Sequence, residues 1–339
     1  MEKENKFQVT NNCISLVKIL AALQVMYGHI IAHLQISSNE DSILSRFISY
    51  YHGVPIFFII SGFLIWISME RTQSLKSFTK KRFFRLFPEL WLAVVIEIIS
   101  IVLLANNYII IDLIVFFFTQ GTILQFWTPD CLRDYGCGTP NGTLWTISIT
   151  IQFYVIAWLI KKVYKNRQYI FWIISFVALV LISIIVNVVI ETYFPKIFLD
   201  LYNTSIIRYG WLFFFGCFLA NFKEQIIPQL IKNWHILLIL GFILHLVNVD
   251  INARYPVIKS IILVSGLIGF AYKFPQLKIH EDISYGIFLY HMIIVNIFIS
   301  FGWIKEWKYV VLVFIITIIF AYISTILSKK IFNPRNKRV

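Results

Sequence analysis

The sequence predicts an all-α polytopic membrane protein of about ten transmembrane helices plus one re-entrant or interfacial helix, with both termini cytoplasmic. Three observations predict it. The 339 residues are 59% hydrophobic and only 14% charged, with a mean hydropathy of +0.76, whereas a soluble domain is about half apolar and about a quarter charged. Apolar runs of about 20 residues, enough to cross the hydrocarbon core, recur along the whole chain. The Lys and Arg residues behind the net charge of +13 gather in short segments between those runs. There they orient helices and meet anionic lipid, so nucleic acid is not expected as a partner.

The first run, 13–33, has no small-residue cleavage site after it and is expected to stay in the fold. Further runs lie at 53–69, 87–106, 143–161, 169–190, 206–222, 234–249, 256–272, 283–301 and 308–328. The segment Ile109 to Phe126 is also apolar, and charge decides its course. Arg71, Lys76, Lys80, Lys81, Arg82 and Arg85 follow the second run, and Lys161, Lys162, Lys165 and Arg167 follow the fourth. Lys329, Lys330, Arg335, Lys337 and Arg338 form the tail. The positive-inside rule puts all three groups in the cytoplasm only if 109–126 does not cross, which makes that segment the re-entrant or outer-interface helix. Residues 1–339 then form a single membrane domain, with 1–12 a cytoplasmic N-terminal segment and 329–339 a basic cytoplasmic tail. Cys131 and Cys137 share an outer loop where a disulfide is permitted, while Cys13 and Cys217 sit alone.

Within VKILAALQVMYGHIIAHL, Lys18 and His29 are 11 residues apart. That is about three helical turns, so the two share one stripe roughly 16 Å apart along the axis. Ionisable groups inside a membrane are costly and usually face a cavity or a partner. Snorkelling by Lys18 and a helix-to-helix hydrogen bond from His29 would also account for them. In GVPIFFIISGFL, Ser61 and Gly62 make a small patch where a backbone or an extended ligand can approach closely. In FTKKRFFRLFPELW, Arg82 and Arg85 point to one side of a helix, as forks suited to phosphate or as a cytoplasmic anchor, and Pro88 fits the first turn of the next span.

NGTLWTISITIQFY carries Trp145, Ser148 and Thr150 into the fourth run, either to an aromatic belt or to a cavity. DISYGIFLYHMI offers Asp282 or Ser284 as a cap, then Tyr285 and His291 within the span. Glu97 is an acid inside the third run. His33, His52, His235 and His280 suit solvated surfaces, and His245 stays open. No metal-ligand spacing, phosphate-cradling glycine loop or serine-hydrolase elbow occurs in the sequence. Any chemistry has to come from residues that the fold brings together.

In this order the segments resemble the acyltransferase-3 family of integral membrane O-acyltransferases. The resemblance rests on Lys18 and His29, on Phe57 to Leu64, on Arg82, Arg85 and Pro88, on Trp145 to Tyr154, and on Ile283 to His291. It covers nearly the whole chain. It implies transfer of an acyl group, usually acetyl, from cytoplasmic acetyl-CoA to a hydroxyl of a surface polysaccharide or lipid-linked sugar, in a bacterial plasma membrane and without metal. Carried over, Arg82, Arg85 and Lys18 would hold the coenzyme A phosphates. His29 would be the general base on the acceptor hydroxyl or, as the alternative, an acyl carrier, with Lys18 and Ser61 beside it in the catalytic group. Gly62, Trp145, Ser148, Thr150, Tyr285, His291 and Glu97 would line the path. Two positions depart from the pattern: Lys18 stands where arginine is usual, and Thr150 where glutamate is usual, with Glu97 as a substitute if its face is right. The departures leave room for a non-catalytic polysaccharide export component of the same fold. A small-molecule transporter is the remaining alternative, with thin support from Glu97.

Overall fold

Each predicted run folds as a helix, and the boundaries follow local chemistry more than hydropathy. The structure, a computed structural model, describes residues 10–37, 42–72, 74–105, 107–125 and 128–332. Lys3, Lys6, Asn106, Phe126, Arg335, Lys337 and Arg338 lie outside the described residues. The helices are α1 (Ile14–His33), α2 (Ile43–Tyr50), α3 (Gly53–Glu70), α4 (Leu75–Leu104), α5 (Ile110–Gln120), α6 (Trp145–Tyr164) and α7 (Tyr169–Tyr193). They continue with α8 (Lys196–Asn203), α9 (Ile206–Asn221), α10 (Lys223–Leu246), α11 (Val257–Lys273), α12 (Ser284–Ser300) and α13 (Trp307–Phe332). Before α11, strand β1 (Asn252–Ala253) pairs antiparallel with β2 (Tyr255–Pro256).

Among the described residues, seven stretches are long and apolar enough to cross a membrane. The predicted runs at α9, α11 and α12 give helices of only 16, 17 and 17 residues. Helix α5 has 11 residues, about 16 Å of rise and short of a crossing.

The largest correction concerns the third run. Ser74 Oγ accepts the Ser77 N–H at 3.3 Å and caps a 30-residue helix. Helix α4 therefore starts 12 residues before the predicted edge at 87, and Pro88 lies inside it rather than in its first turn. A capping serine followed by good helix formers outweighs the charge of the segment.

Two apolar cores flank α1, which contributes to both. Cys13, Ile14, Val17 and Ala21 pack with α3, α6, α7, α9 and α11. Ile19, Ala22, Met26 and Ile30 pack with α4, α12 and α13. In lipid, close packing rather than hydrophobic burial drives such contacts, and small residues permit them. A Cβ on Gly216 of α9 would fall 1.9 Å from the Ile59 carbonyl oxygen, and one on Gly62 of α3 would fall 2.1 Å from that of Phe213. Gly62 thus serves a helix crossing and does not line a path. Away from the cores, α7 and α10 present exposed side chains such as Ile174, Ile185, Ile239 and Ile243, the expected lipid-facing surface.

Polar contacts mark one end of the bundle. Lys161 of α6 donates to the Met69 carbonyl at 2.6 Å, Lys223 pairs with Glu70 at 3.0 Å, and Lys329 pairs with Glu281. At the opposite end, Asn296 of α12 gathers the loop before α6. Its side chain accepts from Cys137 N–H at 2.9 Å and donates to the Thr139 and Pro140 carbonyls.

Candidate functional site

Lys18 is only 9% exposed, one turn into α1, and its ammonium forms an ion pair with Asp282 just before α12. The other Asp282 oxygen accepts from the Ser284 N–H at 3.2 Å and hydroxyl at 2.6 Å. Burial alone would raise the Asp282 carboxyl. The charges of Lys18 and Arg85 and the hydrogen bonds from Lys18 and Ser284 outweigh it and hold the group below the usual carboxylate range.

Lys18 opens on a cavity that encloses, with its mouth, about 850 Å³ between α1, α3, α4, α6 and α12. Arg82 and Arg85 line it from α4, Ser61 from α3, Thr150 from α6 and Tyr285 from α12. Arg82 donates to Ser68 Oγ, and its guanidinium lies 5.3 Å from the Phe78 ring and 5.7 Å from that of Tyr154. Such stacking fixes the fork more firmly than a lysine could be held. Arg85 is exposed at the mouth. The rest of the wall is mostly apolar, chiefly Phe57, Leu64, Ile147 and Phe288, with Thr146, Tyr154 and Ser284 as its polar members. The cavity therefore combines three cationic side chains with a largely apolar wall.

His29 lines a second, more open cavity of about 590 Å³ with Gln24, His52 and Tyr255. Its ring stacks on His33 at 5.7 Å and lies 5.3 Å from His291 of α12. His291 is fully buried, and its Nδ1 is 2.9 Å from the Ile287 carbonyl. That contact favours the tautomer protonated at Nδ1 and leaves Nε2 unprotonated.

Of the sequence-predicted site residues, Lys18, Ser61, Arg82, Arg85, Thr150 and Tyr285 come together in the first cavity and His29 sits in the second. The remaining path-lining candidates line neither. Trp145 packs on Phe58 and Tyr209, and Ser148 donates to the Ile123 carbonyl at 2.9 Å. His291 stands behind His29. Glu97 is 1% exposed, with no hydrogen-bond partner for its carboxylate among the described residues, on a part of α4 beyond the cavity. It does not replace the glutamate missing at 150.

The cysteine expectation is also corrected: Cys131 and Cys137 are free thiols. Cys131 donates to Asp112 at 3.1 Å and Cys137 to the Thr139 carbonyl at 3.5 Å. The turn at 130–132 points the first toward α5, while Asn296 holds the second against α12.

Sequence reasoning missed three groups. Asp282 entered only as a cap. Glu89 is buried and accepts from Ser324 at 3.2 Å and Thr325 at 3.0 Å. His52 was assigned to solvated surface, yet lines the His29 cavity. An acid inside an apolar run, as in FPELW, was the available signal for Glu89.

No group of His, Cys, Asp and Glu able to hold a metal occurs among the described residues. The profile of the family described as "Acyltransferase domain", the acyltransferase-3 family, matches residues 11–327. The chain is similar to Nodulation protein 10 of Rhizobium leguminosarum bv. viciae, 26% identical over 87% of this chain and 86% of the relative. It is similar to an O-acetyl transferase of Shigella phage Sf6, 28% identical over 83% of each. A shorter match, 32% identical over 31% of this chain and 18% of the relative, is to Peptidoglycan O-acetyltransferase OatA of Listeria monocytogenes. No solved structure matches.

Proposed function

Since the chain belongs to the acyltransferase-3 family and is an O-acyltransferase, we propose that it moves an acetyl group from cytoplasmic acetyl-CoA to a hydroxyl of a surface glycan or lipid-linked sugar. The membrane would be a bacterial plasma membrane, crossed ten times with both termini inside. One observation carries the reading: the cationic cavity of Lys18, Arg82 and Arg85 and the cavity of His29 meet at Val54, which lines both.

The basic end of the bundle faces the cytoplasm by the positive-inside rule. Arg82, Arg85 and Lys18 hold the coenzyme A phosphates there by charge-assisted hydrogen bonds. The pantetheine arm lies along the apolar wall. It is about as long as four extended residues, or ~14 Å, close to the ~16 Å of helix rise between Lys18 and His29. The thioester thereby reaches the His29 end without its phosphates leaving the cations.

The acceptor enters from the other side. His29 takes the proton of the attacking hydroxyl as the new C–O bond to the acyl carbon forms. The C–S bond breaks, His29 returns the proton to sulfur, and coenzyme A leaves as the thiol. Asp282 supplies the fixed negative charge beside Lys18, a reading that makes glutamate at 150 dispensable.

The test is the O-acetyl content of surface glycan in a deletion strain complemented with wild type or His29→Ala. The expected result is loss of acetylation at normal expression, and full acetylation would sink the role of His29. Loss of glycan export with unchanged acetylation of the remaining glycan would favour the export reading.

A further inference from the structure

The donor-side and His29 cavities share a lining residue. Among the described residues, Val54 is the one that lines both. It sits in the first turn of α3, and its neighbour Gly53 fixes it against α1. The Gly53 N–H donates to Gln24 Oε1 at 2.9 Å. A Cβ on Gly53 would fall 2.4 Å from the Ala21 carbonyl oxygen and 2.6 Å from Val25 Cγ2. Backbone touches backbone here, so the start of α3 cannot slide along α1. Valine in a helix is held almost entirely to one χ1 rotamer. The side chain between the cavities is therefore of fixed position and fixed width, where leucine or methionine would swing aside.

We infer that Val54 is the partition between the donor and acceptor chambers and the residue whose size limits the acyl group that reaches His29. The inference rests on the reading that acetyl-CoA enters the Lys18 cavity and the acceptor the His29 cavity. Phe57 and Phe288, packed edge to face with ring centroids 6.3 Å apart, line the donor cavity. Beyond them the acyl group has to pass one branched side chain before its carbonyl carbon meets the acceptor oxygen. A short acyl group fits beside two methyls. Each added methylene needs room that only truncation of Val54 creates, and one methylene in a tight pocket is worth about 10-fold or more in selectivity.

The experiment uses full-length protein in inverted membrane vesicles that carry their own glycan acceptor, supplied with labelled acetyl-, propionyl- or butyryl-CoA. Base-labile label in the glycan fraction is counted for wild type, Val54→Ala, Val54→Ile, Val54→Phe and His29→Ala. Val54→Ala is expected to raise the butyryl-to-acetyl ratio about tenfold or more. Val54→Ile is expected to lower the propionyl-to-acetyl ratio, and Val54→Phe to depress kcat for every donor with KM for acetyl-CoA largely retained. The isoleucine variant adds a single methylene, so it keeps the test open if phenylalanine prevents folding. Unchanged acyl ratios in Val54→Ala and Val54→Ile, with His29→Ala inactive, would overturn the inference and leave the transferase reading standing. Full activity of His29→Ala would overturn that reading and the inference with it.

Discussion

Lys18 and Asp282, 264 positions apart in the chain, form an ion pair that joins the first turns of α1 to the residue pair preceding α12. Their side chains are 11% and 29% exposed, so removing one partner leaves a largely desolvated charge on the other. Asp282→Asn is expected to cost about 3 kcal/mol, at the low end for breaking a buried pair because the aspartate is partly wet. The folded carboxyl is held low, so this stabilisation is fully present above the ordinary carboxylate pKa of about 3.9. It is lost as pH falls from there through the depressed value. Melting curves in detergent should show the gap between wild type and Asp282→Asn at pH 7 and its narrowing below pH 4; a gap that widened in acid would refute the pairing.

Arg82 and Arg85 line the same cavity in unlike surroundings. Arg82 is bonded to Ser68 and stacked beside Phe78 and Tyr154, while Arg85 is exposed at the mouth. Lysine cannot reproduce a stacked, planar fork. Arg82→Lys should raise KM for acetyl-CoA by about tenfold, the loss of one charge-assisted hydrogen bond. Arg85→Lys should raise it less, since an exposed charge contributes less. Initial rates at varied acetyl-CoA give the order, and the reverse order would discard the assignment of Arg82 as the main phosphate fork.

Thr150 tests the departure from the family pattern. Its hydroxyl donates back to the Thr146 carbonyl at 2.8 Å, and Lys18 already has Asp282. A glutamate at 150 would be expected to raise turnover if the position still served the reaction. With Asp282 already paired to Lys18, a carboxylate in the donor cavity instead competes with the coenzyme A phosphates for the same cations. Thr150→Glu is therefore expected to raise KM for acetyl-CoA without raising kcat, and a gain in kcat would show that Asp282 does not stand in for the missing acid.

The thiols of the loop before α6 give a check that needs no substrate. Cys131 and Cys137 are free. Burial pushes both thiols up, and for Cys131 the hydrogen bond to Asp112 and its charge add to the effect, so the reactive thiolate is scarce at neutral pH. Both should take a maleimide after denaturation without reductant. Cys131→Ser with Cys137→Ser should retain transfer activity, because neither residue lines either cavity. Labelling only after reduction would establish the disulfide instead.

The helical fold was legible because lipid forces long apolar runs and gives each a visible signature. Residues that keep their identity in one helix were legible too. Lys18, His29, Arg82 and Arg85 announce themselves as charges or imidazoles in unusual company, and the structure puts each on a cavity wall. What stayed hidden depends on rotation and on contacts between distant segments. Whether Gly62 or Ser61 faces the cavity is a matter of 100° around α3, settled by the glycine-to-backbone crossing with α9. Asp282 became more than a cap only when α12 came to rest against α1. The Pro88 boundary was misplaced because a charged, capped helix start looks like a loop in hydropathy. His52 was misread for a related reason: its cavity is built by α1, α3 and the turn at Tyr255 together.

The described wall of the His29 cavity, Gln24 through Tyr255, contains no lysine, arginine, aspartate or glutamate. Under the proposed reaction the fixed cations and the anionic carrier they hold stay on one side of Val54, and the group that passes it is uncharged. A moving elementary charge would couple to the transmembrane voltage by about 2.3 kcal/mol per 100 mV. Here no net charge is translocated, so the voltage neither drives nor opposes transfer. Under that reaction direction comes from the exchange of a thioester for an oxygen ester, and transfer is expected to proceed equally well in a de-energised membrane.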